Sequence, residues 1–224
     1  MFSAFLMDLD GTIVDSRKPF VIAYNRVLVK HNLPPLPSDE YKAIRILRRP
    51  MEEIFPRLMG EGKYGDAAFV ESFVEDLKEA YSELYLSNVK LCPHSRETIR
   101  RLRSLNLKIG VVSSRLAFAD YIIPLLKNCG IGDMIDLVVT SKDVSASKPS
   151  PEPFLLAAKK LKSKVKECIV VGDSPEDLAA GKAAGMMTVA YTGGFYSLDE
   201  LSKCDADMVI DDLTKLIHLA KARF

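Results

Sequence analysis

The segment Met7-Asp8-Leu9-Asp10-Gly11-Thr12 places two acids at i and i+2 directly behind an apolar run. In an extended chain alternate side chains share a side, so Asp8 and Asp10 face one spot while Leu9 turns into the core. Two carboxylates this close repel: either one takes a proton or both share a cation. A hard ion such as Mg²⁺ resolves the repulsion and keeps coordination positions for water and phosphate oxygens. Gly11 lets the chain turn sharply and come close to a ligand. The bland alternative is a strand end with two solvated acids, but an apolar strand, Asp-x-Asp and then Gly-Thr is more ordered than that.

Other segments supply complementary chemistry. Val112-Ser113-Ser114-Arg115 puts small hydroxyls behind a second apolar run. There Ser113 and Ser114 can offer O–H and backbone N–H groups to a phosphate; taken alone, serine at a strand end equally fits a turn or helix cap. In Ser147-Lys148-Pro149-Ser150-Pro151 the proline biases Lys148 to an extended conformation and mounts a positive charge stiffly. An exposed lysine in a proline-rich loop is the competing reading. In Val171-Gly172-Asp173-Ser174-Pro175-Glu176-Asp177, Ser174 as N-cap, Pro175 at the first helical position and Asp177 at the third make a helix start. That leaves Asp173 unexplained, and it reads best as a metal ligand. Together these residues suit a metal-assisted phosphoryl transfer.

The elements that must position them show two textures. Short apolar runs at 4–7, 109–112, 137–139, 168–171 and 188–191, with a weaker one at 208–210, alternate with helical patterns at about 95–104, 118–128, 152–161, 175–184 and 214–220. Continuous apolar strands separated by helices imply a parallel sheet covered on both faces. The functional segments all fall at or beyond the carboxyl ends of these strands, where open α/β sheets hold ligands. Residues 16–88 lack strand patterns and read as helices at 19–29, 39–47, 51–58 and 67–86, broken by Pro34-Pro35-Leu36-Pro37 and by Gly60, Gly62 and Gly65. The expected fold is therefore α/β, a Rossmann-like parallel sheet with helices on both faces formed by 1–15 and 89–224, plus an all-helical insertion at 16–88.

Composition narrows the function. Basic and acidic residues number 31 and 30, a net charge of +1, which gives no electrostatic case for nucleic acid or an anionic membrane. Cys92, Cys129, Cys168 and Cys204 form no CxxC pair and read as reduced thiols. No apolar stretch approaches the ~20 residues of a membrane span, and the apolar start has no basic leader before it. A cytoplasmic location is expected, with a small phosphorylated metabolite as partner and the oligomeric state open between monomer and homodimer.

Over almost its whole length the chain resembles the haloacid dehalogenase superfamily, in the subclass with a helical cap after the first motif. Asp8-Leu9-Asp10-Gly11-Thr12, Ser113, Lys148-Pro149 and Gly172-Asp173-Ser174 with Asp177 carry the resemblance in the family order. Asp15-Ser16, Gly110 and Ala183-Ala184-Gly185 add to it. The resemblance implies Asp8 as nucleophile forming an aspartyl-phosphate and Asp10 as general acid and base. It implies Mg²⁺ held by Asp8, the Asp10 backbone carbonyl and Asp173, with Asp177 behind these ligands. Ser113 and Lys148 contact the phosphoryl group, and Gly11, Thr12 and Ser114 are further phosphate-binding candidates. Dehalogenases and phosphonoacetaldehyde hydrolases lack an acid where Asp10 stands. β-Phosphoglucomutase-like members usually have a histidine at the position of Phe20. A phosphatase of phosphoglycolate-phosphatase type leads, with a mutase or a non-catalytic binding protein on the same fold as alternatives. In this subclass the cap selects substrate. Arg45, Arg48 and Arg49 form a basic cluster there, either an anchor for a second anionic group, with Arg45 and Arg49 the candidates, or a solvated helix face.

Overall fold

The computed structural model describes residues 2–47, 51–59, 66–114 and 119–221. Along the chain run β1 (Ala4–Met7), β2 (Val14–Asp15), α1 (Arg17–Lys30), α2 (Glu40–Leu47), α3 (Met51–Met59), α4 (Ala67–Asn88), β3 (Lys90–Leu91), α5 (Ser95–Ser104) and β4 (Lys108–Val112). Then follow α6 (Ala119–Asn128), β5 (Leu137–Val139), α7 (Glu152–Lys160), β6 (Cys168–Gly172), α8 (Pro175–Ala183), β7 (Met187–Tyr191), α9 (Leu198–Leu201), β8 (Met208–Ile210) and α10 (Lys215–Lys221). Two compact units result, one from Met1–Asp15 with Lys90–Phe224 and the other from Ser16–Val89.

The first unit is built on a six-stranded sheet of order β5-β4-β1-β6-β7-β8, parallel throughout. Its central strands are apolar on both faces because both faces are covered: every residue of β1 and of β6 is buried. Ala4 and Leu6 join one core with Phe154, Ala157, Cys168, Val170 and Ala180, so α7 and α8 cover that face. Phe5 and Met7, also fully buried, alternate onto the other. Register places the functional segments. Met7 pairs with Val111 of β4 and Val171 of β6, so the three carboxyl ends finish within one residue of each other. Asp8, Ser113 and Asp173 then emerge side by side. The two-residue β2 and β3 pair antiparallel, a ribbon that periodicity does not reveal.

In the second unit α1 packs along α4. Tyr24, Val27 and Leu28 of α1 and Phe73, Tyr81 and Tyr85 of α4 are buried. Asp66 starts α4 by accepting from the N–H groups of Ala68 and Phe69. Asp76 of α4 accepts from Lys30 Nζ at 2.7 Å, and its other oxygen lies 2.8 Å from His31 Nε2. Among the described residues no helix is long and apolar enough to cross a membrane.

Candidate active site

Asp8 continues β1, with its N–H donated to the Val171 carbonyl of β6 at 2.8 Å. That bond fixes the backbone under the side chain. Gly11 then turns the chain at φ 93°, and a Cβ there would overlap the Asp173 carboxylate. Lys148 reaches this point from the loop before α7, through a cis bond to Pro149. Its Nζ donates to Asp8 Oδ1 at 2.5 Å, to Asp177 Oδ1 at 2.5 Å and to the Val112 carbonyl at 3.1 Å. Three segments, the ends of β1 and β4 and the first turn of α8, thus converge on one ammonium group.

Asp177 has two tasks. Its Oδ2 accepts from Ser174 N–H at 3.2 Å and Ser174 Oγ at 2.6 Å, while Ser174 Oγ accepts from Asp177 N–H, closing the capping box of α8. Its Oδ1 remains for Lys148. The cap that explains Asp177 from sequence therefore accounts for one of its oxygens only. Asp173 accepts from Thr12 Oγ1 at Oδ1, 3.1 Å, and from Phe195 N–H at Oδ2, 2.7 Å.

Oxygens of Asp8, Asp173 and Asp177 lie within 4.8 Å of one another, and all three residues are buried. Burial pushes Asp8 up to about 7; Asp177 adds to the rise and Lys148 opposes it. Burial, then the charges of Asp8 and Asp177, push Asp173 up as well. Burial also works against the charge on Lys148, but Asp177 and Asp8 outweigh it and hold its pKa above the usual range. Three buried carboxylates facing one ammonium leave negative charge uncompensated. Oxygen donors with that excess fit a hard divalent cation, which would favour the ionised carboxylates and oppose the rise that burial causes. The Asp10 carboxylate is not part of this group; its place in the expected ligand set is that of a backbone carbonyl.

Ser113 is buried just past β4, its N–H donated to the Val139 carbonyl. Ser114 is exposed, and its carbonyl accepts from Ser141 Oγ at 2.6 Å. Gly11 N–H goes to the Val14 carbonyl, and the Thr12 hydroxyl proton to Asp173. Arg48, Arg49, Arg115, Phe118, Gly60, Gly62, Gly65 and the Arg45 side chain lie outside the described residues.

Residues 5–191 match the family model of haloacid dehalogenase-like hydrolases. The chain belongs to that family. A phosphoglycolate phosphatase of Pectobacterium atrosepticum is 29% identical over 95% of this chain and 89% of its own. Pyrophosphatase PpaX of Bacillus velezensis is 30% identical over 97% and 95%. A solved structure of a predicted phosphoglycolate phosphatase from Haemophilus somnus superposes with a TM-score of 0.86 at 22% identity, covering 98% of each chain, a likeness of fold. In this hydrolase, sequence reasoning overlooked the 192–195 turn behind β7. Its contact with Asp173 is made by the Phe195 backbone N–H, which has no side-chain signature; Gly193-Gly194 directly after a strand was the available signal.

Proposed function

We propose that this hydrolase is a Mg²⁺-dependent phosphatase acting on a small phosphate ester through an aspartyl-phosphate on Asp8. The observation that carries the reading is Lys148 Nζ held at 2.5 Å from both Asp8 and Asp177, with Asp173 in the same buried group. Asp8 attacks phosphorus, and the bond to the leaving oxygen breaks as the Asp10 carboxyl gives that oxygen its proton. Asp10 then takes a proton from water, whose oxygen displaces Asp8 and releases phosphate. Ser113 and Lys148 meet the phosphoryl oxygens, Lys148 offsetting charge that develops in the transition state. Gly11, Thr12 and Ser114 are candidates for further phosphate contacts, Thr12 through its backbone N–H. Bound Mg²⁺ would rest on Asp8, Asp173 and the Asp10 carbonyl and supplies positive charge against the phosphoryl oxygens.

Relatives that are 29% and 30% identical act, by name, on phosphoglycolate and on pyrophosphate, which supports the phosphatase class and leaves both as candidate substrates. The 16–89 unit is then the cap that selects among them, with Arg45 and Arg49 as candidate anchors. A mutase is disfavoured by Phe20, a ring set edge-on to Tyr24 and Tyr81 at 5.1 and 5.5 Å where mutase-like members usually have an imidazole. The test is phosphate release from an aryl phosphate, phosphoglycolate, pyrophosphate, a sugar phosphate and a nucleoside monophosphate at fixed Mg²⁺, with Asp8→Asn as blank. Metal-dependent release that vanishes in the blank is expected. No release from any substrate, or release equal in Asp8→Asn, refutes the reading.

A further inference from the structure

Asp173 stands one residue beyond β6, and β6 lies between β1 and β7 in the sheet. The turns behind those two neighbours close on its carboxylate from either side. From the β1 turn, the Thr12 hydroxyl holds Oδ1; from the β7 turn, the Phe195 N–H holds Oδ2. Both oxygens are therefore fixed, and rotation of the carboxylate breaks at least one bond. Asp173 is 1% exposed and Thr12 0%, so water does not readily replace a lost donor.

The approach is as close as the chain permits. A Cβ on Gly194 would overlap both Asp173 Oδ2 and the Gly11 carbonyl, so the β7 turn reaches the acid only because residue 194 has no side chain. The turn is mounted on the sheet: Thr192 N–H donates to the Ile210 carbonyl of β8 at 2.9 Å. A donor on a rigid strand extension orients an acid better than one on a free loop.

We propose that the 192–195 turn and the Thr12 hydroxyl form a positioning clamp that aims Asp173 and thereby sets the affinity of the site for its divalent cation. This rests on the phosphatase reading above, in which Asp173 is a metal ligand. The Thr12 hydroxyl and the Phe195 N–H act through Asp173.

The test reads metal binding without turnover: Mn²⁺ bound to the full chain is followed by electron paramagnetic resonance and competed with Mg²⁺. Partners that orient a metal ligand are commonly worth about 10–100-fold in affinity, so Thr12→Val and Gly194→Ala should each weaken Mn²⁺ by that factor, while Thr12→Ser stays within about threefold of the parent. Melting without metal reports the fold separately; a purely structural role would lower the melting point and leave affinity unchanged. Should Gly194→Ala fail to fold, Thr12→Val decides. Parent-like Mn²⁺ affinity in folded Thr12→Val overturns the clamp. Asp173→Asn separates the two levels. If it abolishes Mn²⁺ binding while Thr12→Val does not weaken it, the clamp alone fails. If Asp173→Asn binds Mn²⁺ like the parent, the metal assignment fails, and the clamp with it.

Discussion

Lys148 is bonded to two acids and a carbonyl and is almost wholly buried, with 4% of its side chain exposed. Removing one partner of such a pair leaves charge in a medium that cannot solvate it. Lys148→Met, which keeps most of the side-chain volume, should lower stability at pH 8 by about 3–5 kcal/mol in urea unfolding. It should also cut turnover by about 10²–10³-fold through the lost charge at the phosphoryl group. At pH 5.5 the stability loss shrinks, because Asp8, whose carboxyl sits at about 7, then carries a proton and no longer needs the ammonium. An equal loss at both pH values would show that the charge on Asp8 is not what Lys148 offsets. Asp8, Lys148 and Asp173 were visible in the sequence because each is a charged residue set against an apolar run or a proline. Asp177 was half visible, since its capping oxygen is coded by Ser174-x-x-Asp177 while its contact with Lys148 spans 29 positions that no local pattern covers.

At the level of elements, the six parallel strands could be read from sequence because strands buried on both faces must be continuously apolar. The β2–β3 ribbon and α9 could not: two and four residues are too short for any period. Helices α3 and α6 were readable in spite of Pro56 and Pro124, because the apolar spacing continues on both sides of each proline. The α8 start joins an element to the site. Ser174 caps the helix and at the same time steadies Asp177, which steadies Lys148. Ser174→Ala should therefore cost about 1 kcal/mol of stability, the usual worth of such a cap, and lower kcat more than it raises KM. Ser174→Thr, which keeps a capping hydroxyl, should recover both. A stability loss with kcat unchanged would confine Ser174 to the helix.

The whole molecule carries a net charge of only +1, so no global field draws a cation; attraction must come from the buried acids themselves. Those acids make stability depend on pH in a definite direction. The Asp8 carboxyl is near 3.8 when the chain is unfolded and about 7 when folded, so between these values the folded state binds more protons. Its contribution therefore favours folding below about 4 and is lost as pH rises through 7. Asp173, raised in the same direction, adds to the trend. A divalent cation binds the ionised form and reverses the loss, so stabilisation by Mg²⁺ should be small at pH 5.5 and large at pH 8. At a hundredfold excess over Kd the linkage is worth about 2.7 kcal/mol, which for a chain of this size is a rise in Tm of roughly 5–11 °C at about 2–4 °C per kcal/mol. Thermal melts with and without Mg²⁺ at the two pH values check this without any substrate. In Asp8→Asn, where this acid cannot ionise, the difference between pH 5.5 and pH 8 should shrink, with the remainder carried by Asp173. A Mg²⁺-induced rise of equal size at both pH values in the parent chain would mean that the ion binds away from Asp8 and Asp173.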